Sequence, residues 1–267
     1  MRVTITRLFL LSILVAGLLP TAKAQMNLPG FLKNYEIGYG ASFTWADYSR
    51  TLKAVSEGGQ SYDTTVTTRV KSKHGLSATT GTSINLKRLG EKSQLALGLS
   101  GIYNLYTWDY ATANGARLTD SGVVYDYSYG TTFGGATLNA GLAISADFKF
   151  GAEAMMDKQY RLSWTGGIGV YPSVNLTADI DNTNMTFGVQ PFVKTEFGIR
   201  GPIAAKLRLM YAFGNLTYID ATDKNNFFGL QGAQNNTKLI GKGNFTVSLI
   251  LLPFSWNYKT SHWYNSY

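Results

Sequence analysis

Large apolar residues alternate with small or polar ones along most of this chain. The clearest run is Tyr35, Ile37, Tyr39, Ala41, Phe43 and Trp45, with Glu36, Gly38, Gly40, Ser42 and Thr44 between them. A strand sends successive side chains to opposite faces, so this period of two predicts one aromatic, apolar face and one small, polar face. It predicts strands near residues 35–50, 66–88, 92–109, 131–149, 159–173, 185–200, 203–217 and 240–258. Leu95, Leu97, Leu99, Tyr103 and Leu105 form one apolar set, and Ile203, Ala205, Leu207, Leu209, Tyr211 and Phe213 another. The last strand changes parity between Leu251 and Phe254, and a bulge at Pro253 is expected to reconcile its two halves.

The opposite faces carry Ser77, Thr79, Ser83, Asn104, Thr137, Asn139, Gly167 and Gly169. A soluble sandwich would show Lys and Glu there, whereas small uncharged groups suit a narrow lumen. Tyr35 and Trp45 lie ten residues apart on one face, close to the roughly 9–11 residues of a tilted membrane-crossing strand. With Trp164 and Tyr211 they are read as aromatic girdles flanking an apolar band. Connection lengths alternate as well. Those around Leu89–Lys92 and Arg200–Pro202 are tight, whereas 51–65, 110–130, 174–184 and 218–239 are long. The predicted fold class is all-β, an antiparallel up-and-down transmembrane barrel of eight strands with both termini at the short-turn end. The count becomes ten if Val123, Tyr125, Tyr127 and Tyr129 form an extra hairpin; the preferred reading has them extend the fourth strand.

The N-terminus fits this compartment. Arg2 and Arg7 precede an apolar run from Leu8 to Leu19, followed by Thr21-Ala22-Lys23-Ala24. That is the layout of a secretory signal cleaved after Ala24, and the run is too short for a membrane helix of about 20 residues. The predicted organisation is a signal over 1–24, an N-terminal segment over 25–34, a barrel over 35–258 and a tail over 259–267. Arg2, Arg7 and Lys23 leave with the signal, lowering the net charge from +8 to +5. The basicity that remains is no argument for nucleic acid. With no cysteine, neither disulfides nor thiolate chemistry is available.

Signal, periodicity, girdles and loop alternation together resemble the small eight-stranded outer-membrane barrels of Gram-negative bacteria over residues 35–258. The resemblance is architectural. It implies residence in the bacterial outer membrane, contact with its lipid, and a monomer open to a surface or envelope protein partner. Phe254, Trp256 and Tyr258 alternate as a terminal assembly signal would, yet nine residues follow them.

Charges expected to face the lumen gather near the turn end: Glu36, Lys87, Asp147, Lys149, Arg161, Lys194, Glu196, Lys206 and Arg208. A hairpin centred on Gly201 would set Glu196 opposite Lys206 and Lys194 opposite Arg208. Glu36, Asp147 and Glu196 are expected to bridge the basic residues, since buried charges require partners. The cluster reads as a structural plug or as a small anion-attracting constriction. An eight-stranded barrel is just wide enough to be filled by its own side chains, which favours a structural or surface-interaction role over a narrow solute channel. An outer-leaflet acyl hydrolase would need a nucleophile, a base and an orienting acid, and Ser72, His74 and Asp47 are the available trio. The expectation is no enzyme, no cofactor and no metal. Tyr125, Tyr127, Tyr129, Phe227 and Phe228 are candidate loop contacts, exposed aromatics being favoured in recognition.

Overall fold

The computed structural model describes residues 32, 34–55, 61–108, 113–119, 122–127, 135–155, 161–179, 183–200, 204–220 and 237–254. The proposed signal and tail lie outside them. Among the described residues there are ten strands: β1 (Glu36–Val55), β2 (Ser61–Arg88), β3 (Ser93–Trp108), β4 (Ala113–Thr119), β5 (Gly122–Tyr127), β6 (Gly135–Gly151), β7 (Leu162–Asp179), β8 (Thr183–Arg200), β9 (Ala204–Asp220) and β10 (Thr237–Leu252). A four-residue helix, α1 (Ala152–Met155), follows β6. Eight strands close into one barrel in the order β1-β10-β9-β8-β7-β6-β3-β2, and all neighbours run antiparallel. Every connection therefore joins adjacent strands, as the short-and-long alternation required.

The burial pattern is inverted relative to a soluble domain. Leu76 is 62% exposed and Phe187 69%, while Ser42, Asn175 and Thr177 are fully buried. A sandwich would seal the first group between its sheets, so the observed surface is that of a barrel wall set in an apolar medium.

Three expectations change. Tyr125 and Tyr127 do not extend the strand that follows them. They lie on β5, which pairs with β4 in a separate two-stranded hairpin, Ala116 opposite Tyr125 and Thr119 opposite Gly122. The barrel still counts eight because that hairpin never joins its ring. The final strand stops at Leu252 rather than running to 258; Pro253 brings no N–H to the ladder, and Pro253–Phe254 form a turn. Phe254 then packs on Tyr35, ring centroids 6.1 Å apart. The β8–β9 hairpin is centred on Pro202, with Arg200 opposite Ala204, so the cross-strand pairs expected from a Gly201 centre shift by two.

Candidate functional site

At the turn end of the lumen the inward charges form one continuous network. Arg208 donates from Nε to Glu196 Oε1 at 2.7 Å and from Nη2 to Glu36 Oε2 at 2.5 Å. Lys206 Nζ stands among three carboxylates, 2.7 Å from Glu36, 2.5 Å from Glu153 and 3.4 Å from Glu196. Lys149 reaches Glu153 at 2.9 Å and donates to Ser83 Oγ at 2.6 Å. Lys194 bridges Asp147 at 2.9 Å and Glu196 at 3.4 Å. Four cations thus meet four anions, and the plug is formally neutral.

The shifted hairpin register explains part of this balance. Glu196 faces Arg208, and Lys194 faces Met210 rather than another cation. Two expected members are absent. Lys87 is exposed, because β2 shifts register between Asn85 and Lys87 and turns it out of the lumen. Arg161 precedes β7 and is exposed; its backbone carbonyl accepts the Arg200 N–H at 2.7 Å. Without these two, the basic excess falls from three charges to one, with Lys149, Lys194, Lys206 and Arg208 against Glu36, Asp147 and Glu196.

Glu153 takes the place that a fourth carboxylate had to fill. Sequence reading left it in the connection after β6, yet it lies four residues beyond Lys149, the spacing at which a helical turn pairs side chains. Ala152, Glu153, Ala154 and Met155 are all good or acceptable helix formers, which was the available signal. Burial pushes the Glu153 carboxyl up, but the ammonium groups of Lys149 and Lys206 outweigh it and hold the group at about 2. Glu36, Glu153 and Glu196 offer carboxylate oxygens within 4.8 Å of one another, the makings of a metal site. The Lys206 ammonium already occupies the position a cation would take. Beside it, a crevice lined by Ser163, Arg200, Ala204 and Leu252 holds about 30 Å³, room for roughly one water.

Higher in the lumen charge gives way to amides and rings. Asn104 donates to Asn139 at 3.2 Å and Asn139 to Asn175 at 2.6 Å, a ladder across β3, β6 and β7. Tyr171 donates to the same Asn139 oxygen at 2.6 Å. Toward the loop end Trp108 packs on Tyr218 and Tyr106, centroids 5.6 and 6.1 Å away, and donates from Nε1 to Thr137 at 2.9 Å. Ala46, Tyr48, Val70, Leu216, Ile219 and Leu239 complete this buried cluster.

The conceivable catalytic trio is not assembled. Ser72 Oγ accepts the Thr44 N–H at 3.1 Å. His74 is exposed, and its backbone N–H goes to Thr107 Oγ1 at 3.1 Å. Asp47 pairs instead with Arg69 at 3.1 Å and Lys242 at 3.5 Å. Arg69 sits opposite Asp47 in the ladder, five residues from His74, a separation of roughly 16 Å along a strand. The girdle residues all lie on the outer side. Trp45 stacks on Tyr211 at 6.0 Å, Trp164 is 40% exposed, and the Tyr35 hydroxyl accepts from Thr80 at 2.7 Å. Among the candidate loop contacts Tyr125 and Tyr127 lie on β5, while Tyr129, Phe227 and Phe228 fall outside the described residues.

No family model and no curated protein matches this chain. Solved structures do share the barrel. Neisserial surface protein A (NspA) is 9% identical with a TM-score of 0.37, over 82% of this chain and 96% of its own. Ail, the attachment invasion locus protein of Yersinia pestis, is 9% identical with a TM-score of 0.27, over 80% and 97%. The outer membrane protease OmpT from Escherichia coli is 8% identical with a TM-score of 0.37, over 84% and 98%. At these values the likeness adds nothing to what the strands themselves show.

Proposed function

We propose that this chain is an integral protein of the bacterial outer membrane, a monomeric barrel closed to solutes that acts as a structural or surface-interaction element. The neutral, buried charge network carries the reading. Four cations and four carboxylates pair within one ring of contacts at the turn end. An anion-attracting constriction needs a cationic excess facing free space, and this network offers neither. With the turns periplasmic, β1 and β2 run on beyond the ring, where Val55 still faces Ser61, and the β4–β5 hairpin rises beside them. These projections, and the sequence-predicted loops over 110–130 and 218–239, are the candidate contacts for a surface or envelope protein partner.

Two measurements test this. Purified protein is expected to migrate differently on gels before and after boiling, as a lipid-embedded closed barrel does. In planar bilayers it is expected to show no unitary conductance. Steady single-channel steps, abolished by substituting Lys206 and Arg208, would replace the closed plug with a narrow channel.

A further inference from the structure

The ladders around the barrel break at several places, and the longest break between two continuing strands lies between β8 and β9. Between β8 and β9 the register runs from Arg200 opposite Ala204 to Phe192 opposite Ala212 and stops there. Both strands continue: β8 stays paired to β7 as far as Thr183, and β9 to β10 as far as Asp220. Their facing edges, residues 183–191 and 213–220, carry no ladder pairs. In an apolar medium each unpaired backbone group costs several kcal/mol, so a gap here needs a cause.

Local sequence supplies it. Pro191 sits at the point of interruption and brings no N–H. Across from it Gly214 adopts φ +100°, a conformation side-chain-bearing residues rarely take, and its Cβ position faces open space with only Pro191 Cδ at 3.9 Å. Side chains replace the missing ladder bonds. Gln190 Nε2 donates to the Gly214 carbonyl at 3.1 Å, and Thr186 Oγ1 donates to the Thr217 carbonyl. Gln190 is 1% exposed, and its Oε1 has no partner among the described residues. The gap is plugged by Leu216, whose side chain lies directly against the space a Cβ on Gly188 would take.

The surroundings identify what such a gap admits. Outside it stand Phe187 and Val189, 69% and 53% exposed, with Phe213 on the other edge at 41%. Behind Leu216 lies the apolar cluster of Tyr106, Trp108 and Tyr218. No charged residue occurs within 183–191 or 213–219. Opening breaks the Gln190–Gly214 and Thr186–Thr217 bonds and turns Leu216, with no β8–β9 ladder pair lost.

We propose that this gap is a lateral port through which one lipid acyl chain enters the aromatic upper lumen from the outer leaflet, taking the place of Leu216. The proposal rests on the membrane-embedded reading above. The test uses the full chain in outer-membrane lipid vesicles with a fatty acid carrying a diazirine at its chain end, followed by peptide mapping of the adducts. The parent is expected to carry adducts on lumen residues such as Trp108 and Tyr218 as well as on outward residues such as Phe187. The chain has no native cysteine, so a Gly188→Cys/Leu216→Cys pair can be closed by oxidation alone. Closure is expected to remove the lumen adducts and keep the outward ones, and reductant to restore them. Pro191→Val, which returns an N–H to the edge, is expected to lower lumen labelling without any disulfide. Outward adducts alone in the parent, or lumen adducts that survive closure, would overturn the port while leaving the barrel in its membrane. Absence of outward adducts would overturn the membrane reading itself, and the port with it.

Discussion

At the turn end of the lumen Lys206 and Arg208 meet Glu36, Glu153 and Glu196 behind a complete β8–β9 ladder. At the loop end Tyr106, Trp108, Tyr218 and Leu216 pack without a charge among them, beside an edge where that ladder is absent. Both ends fill a cylinder too narrow to stay empty. The ionic half depends on every partner being present, since one missing group strands a buried charge. The apolar half tolerates rearrangement, because turning one side chain leaves no charge unpaired. The difference teaches where this barrel can move: the turn end is locked by electrostatics, and the loop end is held by contacts that lipid can replace.

Removing one cation should break this contrast most severely. Lys206→Met takes the ammonium from among three carboxylates, and loss of one partner from a buried ionic cluster costs about 3–5 kcal/mol. The urea midpoint of unfolding in detergent micelles, followed by tryptophan fluorescence, should fall accordingly. An unchanged midpoint would mean that water, and not Lys206, balances those carboxylates.

Acid should loosen the same end through Glu153. Its folded-state pKa is about 2, against 4.5 for the ordinary group. A depressed carboxylate stabilises fully above its unfolded value, and that stability is lost as pH falls from about 4.5 toward 2. The upper bound is about 3 kcal/mol, at roughly 1.4 kcal/mol per unit. Stability measured against pH should be flat above about 5 and decline below it, and Glu153→Gln should reduce the decline. An undiminished decline in that variant would assign the acid sensitivity to the other carboxylates.

In the apolar half a single deletion should cost less. Tyr218→Phe removes a hydroxyl 3.3 Å from Thr44 Oγ1 and leaves the ring packing on Trp108. A lost neutral hydrogen bond is worth about 1 kcal/mol. A fall as large as that of Lys206→Met would show that the two halves are equally rigid and would weaken the case for a replaceable Leu216.

The wall was legible in the sequence because the strand period is fixed by covalent geometry: Tyr39, Leu97, Leu142 and Phe197 could face only one way once their neighbours were Gly, Ala or Glu. The plug was legible only in part. Glu36, Asp147, Lys149, Lys194, Glu196, Lys206 and Arg208 all sit within regular strands, where parity assigns the face. Lys87 and Arg161 sit where parity fails, at a register shift and before a strand begins. Glu153 lies in a connection, where period two says nothing. The pairing of Glu196 with Arg208 depended on a single turn residue, Pro202 in place of Gly201 as the centre, and a two-residue slip keeps every face while changing every partner. The unpaired β8–β9 edge was beyond reach for a related reason. Pro191 and Gly214 are visible one by one, but their meeting requires the register.

The smallest expected effect lies outside the lumen and gives the contrast its control. Arg69 contacts Asp47 at 3.1 Å, a shorter separation than the 3.4 Å from Lys206 to Glu196, yet the Arg69 side chain is 67% exposed. Exposed pairs contribute only about 0–1 kcal/mol, because water solvates both charges nearly as well as they solvate each other. Lys242 also stands 3.5 Å from Asp47, so the carboxylate keeps a cation when Arg69 is removed. Arg69→Ala should therefore leave the urea midpoint within error of the parent, even though it deletes an ion pair of better geometry than one inside the plug. If it instead lowers the midpoint as far as Lys206→Met does, then distance rather than burial sets the worth of these pairs, and the turn end loses its claim to be the locked half of the barrel.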